Sequence, residues 1–120
     1  MMDIVIRYVF KHRFSGNIEI RRYSIRQLEE RSAQKLSPCF NETEYEMIAR
    51  DLSTGLKDRN GTEIFINDID VSNEPMFVAY YDGKFGLSVY GYFDSEINWK
   101  HVDIGGNIYQ NPDLLKEEAR

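Results

Sequence analysis

Apolar and polar residues alternate over much of this chain, and the pattern predicts short β-strands rather than long helices. In residues 3–10, the even-numbered side chains from Ile4 to Phe10 form one apolar face. Residues 18–23 predict a second strand. The loop signal at residues 14–17 indicates that these two strands form a hairpin.

A helix is predicted to follow the second strand. Ser24 and Gln27 have the spacing of a capping box, in which each side chain accepts a hydrogen bond from a backbone N–H at the helix start. Leu28 and Leu36 would continue on one apolar stripe of this helix. The residue before a proline avoids the helical region of backbone conformation. We therefore expect the helix to end before Ser37-Pro38, and residues 37–43 to be flexible.

The middle of the chain contains two extended stretches separated by a turn. Residues 44–52 fit both a strand and a helix, and we favour the strand because the stretch is short and leads into a turn. Asn60-Gly61 is a strong tight-turn signal, since both residue types tolerate positive φ, and Asp58 can cap the turn. Residues 63–71, rich in isoleucine, predict another strand.

Residues 76–93 carry the clearest pattern, a β-hairpin closed by the two-residue loop Asp82-Gly83. The loop fixes the register, so that Tyr80 faces Phe85 and Val78 faces Leu87 on an apolar face. On the opposite face, small residues flanked by aromatic rings predict a shallow depression. That face holds Phe77, Ala79, Gly86, Ser88, Tyr90 and Tyr92.

The end of the chain completes the predicted fold. Residues 102–109 predict a last short strand, and Asn111 with Pro112 predicts the start of a short C-terminal helix. The fold class is therefore mainly β with a minor α contribution, as a small partly open β-barrel or a rolled antiparallel sheet. A chain of 120 residues fits one domain, with a strand–strand–helix subregion at 1–36 and a β-rich core at 44–116.

Charge changes this picture because it is unevenly distributed. The chain has 15 basic and 20 acidic residues, for a net charge of −5. Residues 1–35 hold 8 basic and 4 acidic side chains, whereas residues 36–120 hold 7 and 16. A basic face could bind phosphates or an acidic partner, or the acidic remainder of the protein could neutralise it. Its candidate residues are Arg7, Lys11, Arg13, Arg21 and Arg22.

Few residues offer catalytic chemistry. The single cysteine, Cys39, lies beside a proline in a predicted loop, and there are only two histidines, so we assign no catalytic residue. No phosphate-binding glycine motif is present, and we expect no cofactor. Acidic residues near the central turn could bind a divalent cation, but we favour their use as acceptors for turn backbone N–H groups. These residues are Asp58, Glu63, Asp68 and Asp70.

The sequence also bears on location. Asp3 and Arg7 interrupt the first residues, which lack the apolar run and cleavage site of a signal peptide. No segment approaches the roughly 18 apolar residues of a membrane-spanning helix. Together with the free thiol of Cys39, these features predict a cytoplasmic protein with no membrane partner.

The aromatic-rich region offers the best candidate binding surface. Its residues are Phe77, Tyr90, Tyr92 and Trp99. These rings could stack on a nucleobase or anchor a protein partner, or they could be covered by the helix or by a neighbouring subunit.

Three motifs follow one another in the second half of the chain. They are Thr54-Gly55-Leu56-Lys57-Asp58-Arg59-Asn60-Gly61 leading to Asp68-Ile69, then Tyr81-Asp82-Gly83-Lys84-Phe85, then Gly106-Asn107-Ile108-Tyr109-Gln110-Asn111-Pro112 before Leu114-Leu115. In this order and spacing, the motifs resemble those of the YopX family of small phage and prophage proteins. The chain departs from the family pattern at Ile66-Asn67, where the family has Glu-Gly, and at Arg7-Tyr8-Val9, where it often has Arg-Ala-Trp.

The resemblance implies a mainly β fold, an origin in a phage or prophage and no assigned enzymatic activity. It therefore supplies no catalytic residues. Several positions in or beside the motifs have structural explanations as turn or cap residues. These are Asp58, Asn60, Gly61, Asp82, Gly83, Asn111 and Pro112.

The leading hypothesis is a non-catalytic binding module. It would act on a host protein or a small nucleotide in the bacterial cytoplasm, and it would self-associate through sheet edges or the aromatic face. A nucleic-acid-binding accessory protein is the first alternative, and a small metal-dependent enzyme is the second.

Overall fold

The computed structural model describes residues 4–115, without the side chains of residues 33 and 34. The chain divides into two compact units, residues 1–53 (unit 1) and residues 54–120 (unit 2). Each unit has its own hydrophobic cluster. The prediction that the whole chain is a single domain stays a prediction.

Short strands make up most of the regular structure in the described residues. The strands are β1 (Val5–His12), β2 (Ile18–Ser24), β3 (Tyr45–Lys57), β4 (Glu63–Phe65), β5 (Asp68–Asp70), β6 (Met76–Tyr81), β7 (Lys84–Val89), β8 (Tyr92–Asp94) and β9 (Ile104–Asn107). The helices are α1 (Ile25–Glu30) and α2 (Ala33–Leu36), with 3₁₀ turns at Pro38–Phe40, Trp99–His101 and Pro112–Leu115. The mainly β fold class is confirmed, and the described strands form two open antiparallel sheets rather than a closed barrel.

The four-stranded sheet has the strand order β2-β1-β3-β4, in which β1 lies between β2 and β3. The predicted hairpin of β1 and β2 is confirmed, with Val9 opposite Ile20. The stretch 44–52 is a strand rather than a helix, because β3 runs antiparallel to β1. One extra residue, Ile48, makes a β-bulge where the register shifts opposite Val9 and Phe10.

The capping box predicted at the start of α1 is confirmed. Ser24 Oγ accepts from the Gln27 backbone N–H, and the Gln27 side chain accepts from the Ser24 backbone N–H. The helix is shorter than predicted, since the backbone becomes extended at Arg31 and a separate turn begins as Lys35 N–H donates to Ser32 C=O.

Both helices nevertheless serve the predicted purpose, since Leu28 and Leu36 pack on the core of unit 1. That core is aromatic. The centroid of the Phe40 ring lies 5.0 Å from that of Phe10 and 5.4 Å from that of Tyr8. Its buried members are Tyr8, Phe10, Tyr23 and Cys39.

The segment 37–43, which was predicted to be flexible, has a defined structure. Pro38–Phe40 is a 3₁₀ turn, and Ser37 Oγ caps it by accepting from Cys39 N–H at 3.1 Å. Ser37 and Cys39 are both buried. Burial of Cys39 and packing of the Phe40 ring on Tyr8 and Phe10 anchor this loop on β1. The flexibility of the loop stays a prediction.

A buried ion pair joins β1 to β3. Arg7 Nη2 lies 3.1 Å from Asp51 Oδ2, and Arg7 is only 1% exposed. The two residues face each other directly in the β1–β3 register. Arg7 therefore belongs to the interior of unit 1 and not to a basic surface, which corrects the prediction.

Unit 2 contains a five-stranded sheet in the order β8-β7-β6-β5-β9. The predicted hairpin of β6 and β7 is confirmed in its register, with Val78 opposite Leu87 and Tyr80 opposite Phe85. Asp82 and Gly83 both have positive φ, at 51° and 80°, as a type I′ turn requires. Val78 and Leu87 pack in a core with Ile64 and Val102.

The predicted strand at 63–71 is divided by a turn at Ile66-Asn67 into β4 and β5. Asn67 has a φ of 72°, which asparagine tolerates better than most residues. The Asp68 carboxylate holds the turn by accepting from Phe65 N–H at 2.9 Å.

The predicted depression on β7 is absent because an aromatic ring occupies it. A second tight turn at Tyr90-Gly91, with φ values of 49° and 82°, folds β8 back beside β7. A Cβ atom at Gly86 would lie 2.7 Å from Phe93 Cζ and 2.3 Å from the Asp94 carbonyl oxygen. The ring of Phe93 therefore covers Gly86 and reaches Tyr81, with the ring centroids 5.6 Å apart.

The C-terminal strand is shorter than predicted, and Asn111 connects its end to the following turn. Asn111 Oδ1 accepts from Asn107 N–H at 3.2 Å. The backbone carbonyl of Asn111 accepts from Leu114 N–H. The short C-terminal helix is the 3₁₀ turn Pro112–Leu115.

The buried ion pair yields a prediction for stability. We expect Asp51→Leu to destabilise the protein by about 3–5 kcal/mol, because it leaves the Arg7 charge buried without this carboxylate. The double variant Arg7→Met with Asp51→Leu should be more stable than Asp51→Leu alone. Urea unfolding of the wild type, the two single variants and the double variant measures the coupling free energy between the two side chains. Asp51→Asn serves as a milder replacement of the carboxylate. Additive single effects would contradict the prediction.

The close packing over β7 yields a second prediction. Gly86→Ala should lower the free energy of unfolding by more than about 2 kcal/mol, because the new methyl group meets a backbone oxygen that cannot move aside cheaply. Thermal unfolding measures this loss, and Lys84→Ala, at an exposed position on the same face of β7, serves as the control. A Gly86→Ala protein as stable as that control would show that β8 can move away from β7.

Candidate functional site

The predicted aromatic surface of Phe77, Tyr90, Tyr92 and Trp99 does not exist as one surface. Phe77 shares its sheet face with Ser88 and Phe93, whereas Tyr92 pairs with Val89 on the opposite face. Tyr90 lies in the turn between β7 and β8. Trp99 is partly buried against the core of unit 2. The prediction assumed one continuous strand and missed the turn at Tyr90-Gly91.

Four tyrosines of unit 2 are nevertheless exposed at the two ends of β7, and we call them the hairpin tyrosines. Their exposed fractions are 57% for Tyr80, 68% for Tyr81, 67% for Tyr90 and 60% for Tyr92. Tyr80 and Tyr81 end β6 and come directly before the Asp82-Gly83 loop, where the hairpin extends beyond the core. Position beside a tight turn was the sequence signal that could have identified them.

Neighbouring groups support the positions of these tyrosines. Tyr80 contacts Phe85 edge-on, with ring centroids 5.2 Å apart. The Tyr90 hydroxyl donates a hydrogen bond to the Leu115 carbonyl oxygen, and Ser88 Oγ donates to the Tyr92 carbonyl oxygen at 2.7 Å. The hairpin tyrosines are therefore exposed side chains on a hydrogen-bonded framework.

The predicted basic patch is reduced by ion pairing within unit 1. Arg7 is buried with Asp51. Arg13 Nη1 lies 3.7 Å from Glu46 Oε2, and Arg21 Nη1 lies 3.5 Å from Glu19 Oε2. Lys11 and Arg22 are exposed. These contacts match the alternative in which nearby acidic groups neutralise the basic residues.

Three of the four acidic residues considered for cation binding, Asp58, Asp68 and Asp70, act as backbone acceptors, as the favoured interpretation predicted. Asp58 Oδ1 accepts from the N–H groups of Asn60 and Thr62, and Asp58 Oδ2 accepts from Ile104 N–H. Burial opposes the charge of Asp58, but the three backbone donors outweigh burial and hold the pKa of this carboxyl below its ordinary value. The prediction that Asp58 caps the Asn60-Gly61 turn is confirmed.

Asp70 and Asp68 have the same role. Asp70 Oδ1 accepts from Ser72 N–H and from Asp103 N–H, at 2.9 and 3.0 Å. Asp58, Asp68 and Asp70 are all buried. Among residues 4–115, no three histidine, cysteine, aspartate or glutamate side chains form a group that could hold a metal ion.

The remaining candidates for chemistry are the cysteine and the two histidines. Cys39 is buried in the aromatic core of unit 1. His12 Nδ1 shares a 2.9 Å hydrogen bond with Ser15 Oγ. His101 is exposed in the 3₁₀ turn Trp99–His101 of unit 2.

A small cavity in unit 1, which we call the Phe40 pocket, was not predicted from the sequence. Its volume is about 300 Å³, at the lower end of the range of roughly 300–1,000 Å³ for ligand sites. Aromatic and apolar side chains form most of its lining, with charged side chains among them. The lining consists of Phe10, Arg13, Cys39, Phe40, Glu42, Tyr45, Glu46 and Met47.

The Phe40 pocket forms because the loop after α2 folds against β1 and β3. Arg13 Nε donates to the Glu42 carbonyl oxygen at 2.8 Å, which ties the β1–β2 turn to this loop. Asn41 Oδ1 accepts from Thr43 N–H at 3.0 Å and turns the chain into β3. The sequence signal was weak, since the pocket depends on the loop that had been predicted to be flexible.

The hydrogen bonds of Asp58 yield a prediction for acid stability. Because its pKa is lower in the folded state, the ionised carboxylate stabilises the fold above the unfolded-state pKa of about 4, and this stabilisation is lost as the pH falls through the folded-state value. Asp58→Ala should therefore cost about 2–4 kcal/mol at pH 7, with a smaller difference from the wild type at pH 2–3. Urea unfolding across this range, with Glu74→Ala as control, measures the effect. A difference independent of pH would contradict it.

Comparisons with known proteins agree with the motifs of the second half of the chain. A model of the YopX family, described as YopX protein, matches residues 9–116. A search of curated proteins finds no match. In the described part of the chain, no helix is long and apolar enough to span a membrane. Since the matched region covers nearly the whole sequence, the chain belongs to the YopX family.

Proposed function

We propose that this protein is a non-catalytic binding module, encoded by a phage or prophage, that engages a protein partner in the host cytoplasm. The observation that carries the proposal is the exposure of the hairpin tyrosines. Four rings within residues 80–92 are each more than half exposed, although their neighbours Val78 and Leu87 are buried. A folded protein that leaves several large rings in water has surface available for association.

Tyrosine suits this role for physical reasons. It brings a large apolar area and one hydrogen-bonding group, and it loses little conformational entropy on binding because only two torsions are fixed. Tyrosine is accordingly enriched among residues that carry most of the binding energy of protein interfaces. The two tight turns hold the backbone of the hairpin tyrosines in place, which lowers the cost of ordering on binding.

The positions of the tyrosines support the proposal of a protein partner over that of one bound base. Tyr80 and Tyr92 lie on one face of the sheet, at opposite ends of β7, and Tyr81 lies on the other face. A single nucleobase would reach only one ring or a neighbouring pair. A protein surface can contact several of them.

The test is a comparison of partner binding by matched variants. A variant with Tyr80, Tyr81, Tyr90 and Tyr92 replaced by serine should lose a host protein that copurifies with the wild type. Phe14→Ser is the control, because Phe14 is 83% exposed in unit 1 and lies outside the hairpin tyrosines. With the purified partner, calorimetry should show at least about a 30-fold weaker Kd for the tyrosine variant, which corresponds to about 2 kcal/mol.

Two results would contradict the proposal. One is equal binding of the partner by the tyrosine variant and the wild type. The other is loss of binding by Phe14→Ser to the same extent. Light scattering coupled to size-exclusion chromatography should accompany the binding measurements, because the leading hypothesis from the sequence includes self-association. A monomer at tens of micromolar would exclude self-association, and the proposal of a host protein partner would stand.

A further inference from the structure

The Phe40 pocket combines aromatic walls with an excess of negative charge. Glu42 and Glu46 line it, and Arg13 is the basic residue of the described lining. The segment 37–47 contains three glutamates and neither lysine nor arginine. Burial raises the pKa of Tyr45 above its ordinary value, and the nearby Cys39 and Glu19 raise it further. Aromatic faces and carboxylates both attract cations, so the lining favours a positively charged group.

Arg13 shows that the rim accommodates a guanidinium group. Its Nε donates to the Glu42 carbonyl oxygen at 2.8 Å, and its Nη1 lies 3.7 Å from Glu46 Oε2. Both side chains of this ion pair are about half exposed, and such pairs contribute little to stability. Arg13 contacts Glu46 through the carboxylate and Glu42 through the backbone carbonyl. With two acidic side chains and one basic side chain, the lining has a net negative charge that favours a second cation.

A wider cleft next to the Phe40 pocket indicates what kind of molecule carries that cation. The cleft has a volume of about 650 Å³ and shares Phe40 and Glu42 with the pocket. Its other lining residues are Ser37, Pro38, Asn41 and Thr43. It is polar and open, and it offers room for a polypeptide backbone beside a pocket of side-chain size.

We infer that the Phe40 pocket binds an arginine side chain carried by an extended segment of a partner polypeptide. The planar guanidinium can stack on the ring of Phe40 or Tyr45 while its N–H groups donate to Glu42 and Glu46. The inference goes beyond the proposed function, since the pocket belongs to unit 1 and the hairpin tyrosines to unit 2.

The inference is tested with short peptides on the full-length protein. The blocked tripeptide Gly-Arg-Gly is titrated at low salt while the amide NMR signals of residues 37–47 are followed. The control peptide carries citrulline, which keeps the shape of arginine without its charge. The arginine peptide should shift these signals and bind at least several-fold more tightly than the citrulline peptide, and added salt should weaken it.

Two variants should change the affinity in opposite directions. Glu46→Gln should weaken the arginine peptide about 2–5-fold, because it removes one carboxylate. Arg13→Met should strengthen binding about 2–5-fold, because it removes the competing internal cation. Glu29→Gln, on the exposed surface of α1, is the control and should leave the affinity unchanged. A merely structural role for Arg13 would not produce tighter binding.

Several outcomes would overturn the inference. Equal binding of the arginine and citrulline peptides would show that charge does not direct recognition. No shift at up to about 10 mM peptide would show that the pocket takes no basic side chain. Free guanidinium ion binding as tightly as the peptide would assign the pocket to small cations. None of these outcomes involves the hairpin tyrosines, so failure here leaves the proposed function standing.

Discussion

Unit 2 depends on one constraint, that backbone N–H groups taken out of water must find acceptors. Its strands are too short to satisfy them all through sheet pairing, since β4, β5 and β8 have three residues each. Asp58, Asp68, Asp70 and Asn107 supply the missing acceptors. The Asp58 carboxylate accepts hydrogen bonds both from the β3–β4 turn and from Ile104 at the start of β9, which is 46 residues further along the chain. These side chains convert irregular connections into a fixed framework that presents the hairpin tyrosines.

This framework explains the motifs by which the chain resembles its family. Asp58, Asp68 and Asn107 stand in those motifs, and each accepts backbone N–H groups. Gly106 has no room for a side chain, because Asn111 Oδ1 would lie 2.2 Å from its Cβ. The Phe40 pocket lies in unit 1, outside all three motifs. The Phe40 pocket therefore draws on a part of the sequence separate from the motifs, whereas Tyr81 of the hairpin tyrosines stands in the second motif.

Features encoded by neighbouring residues were predictable from the sequence. The capping box at Ser24, the Asp82-Gly83 hairpin and its register depend on contacts within a few positions. The turn at Tyr90-Gly91 was not predictable in this way, because tyrosine rarely adopts positive φ and the aromatic alternation continued through it. The burial of Arg7 depends on Asp51, 44 residues away. The Phe40 pocket requires a loop to fold onto strands before and after it, which no local pattern specifies.

The pairing of Arg7 with Asp51 constrains how this protein can change over evolutionary time. Either partner alone is costly to replace, whereas an apolar pair of similar volume can be as stable as the ion pair. Sequences with and without the pair are therefore separated by intermediates of low stability. A lineage would cross that gap only by two nearly simultaneous substitutions, or after stabilising changes elsewhere in unit 1 had provided a margin.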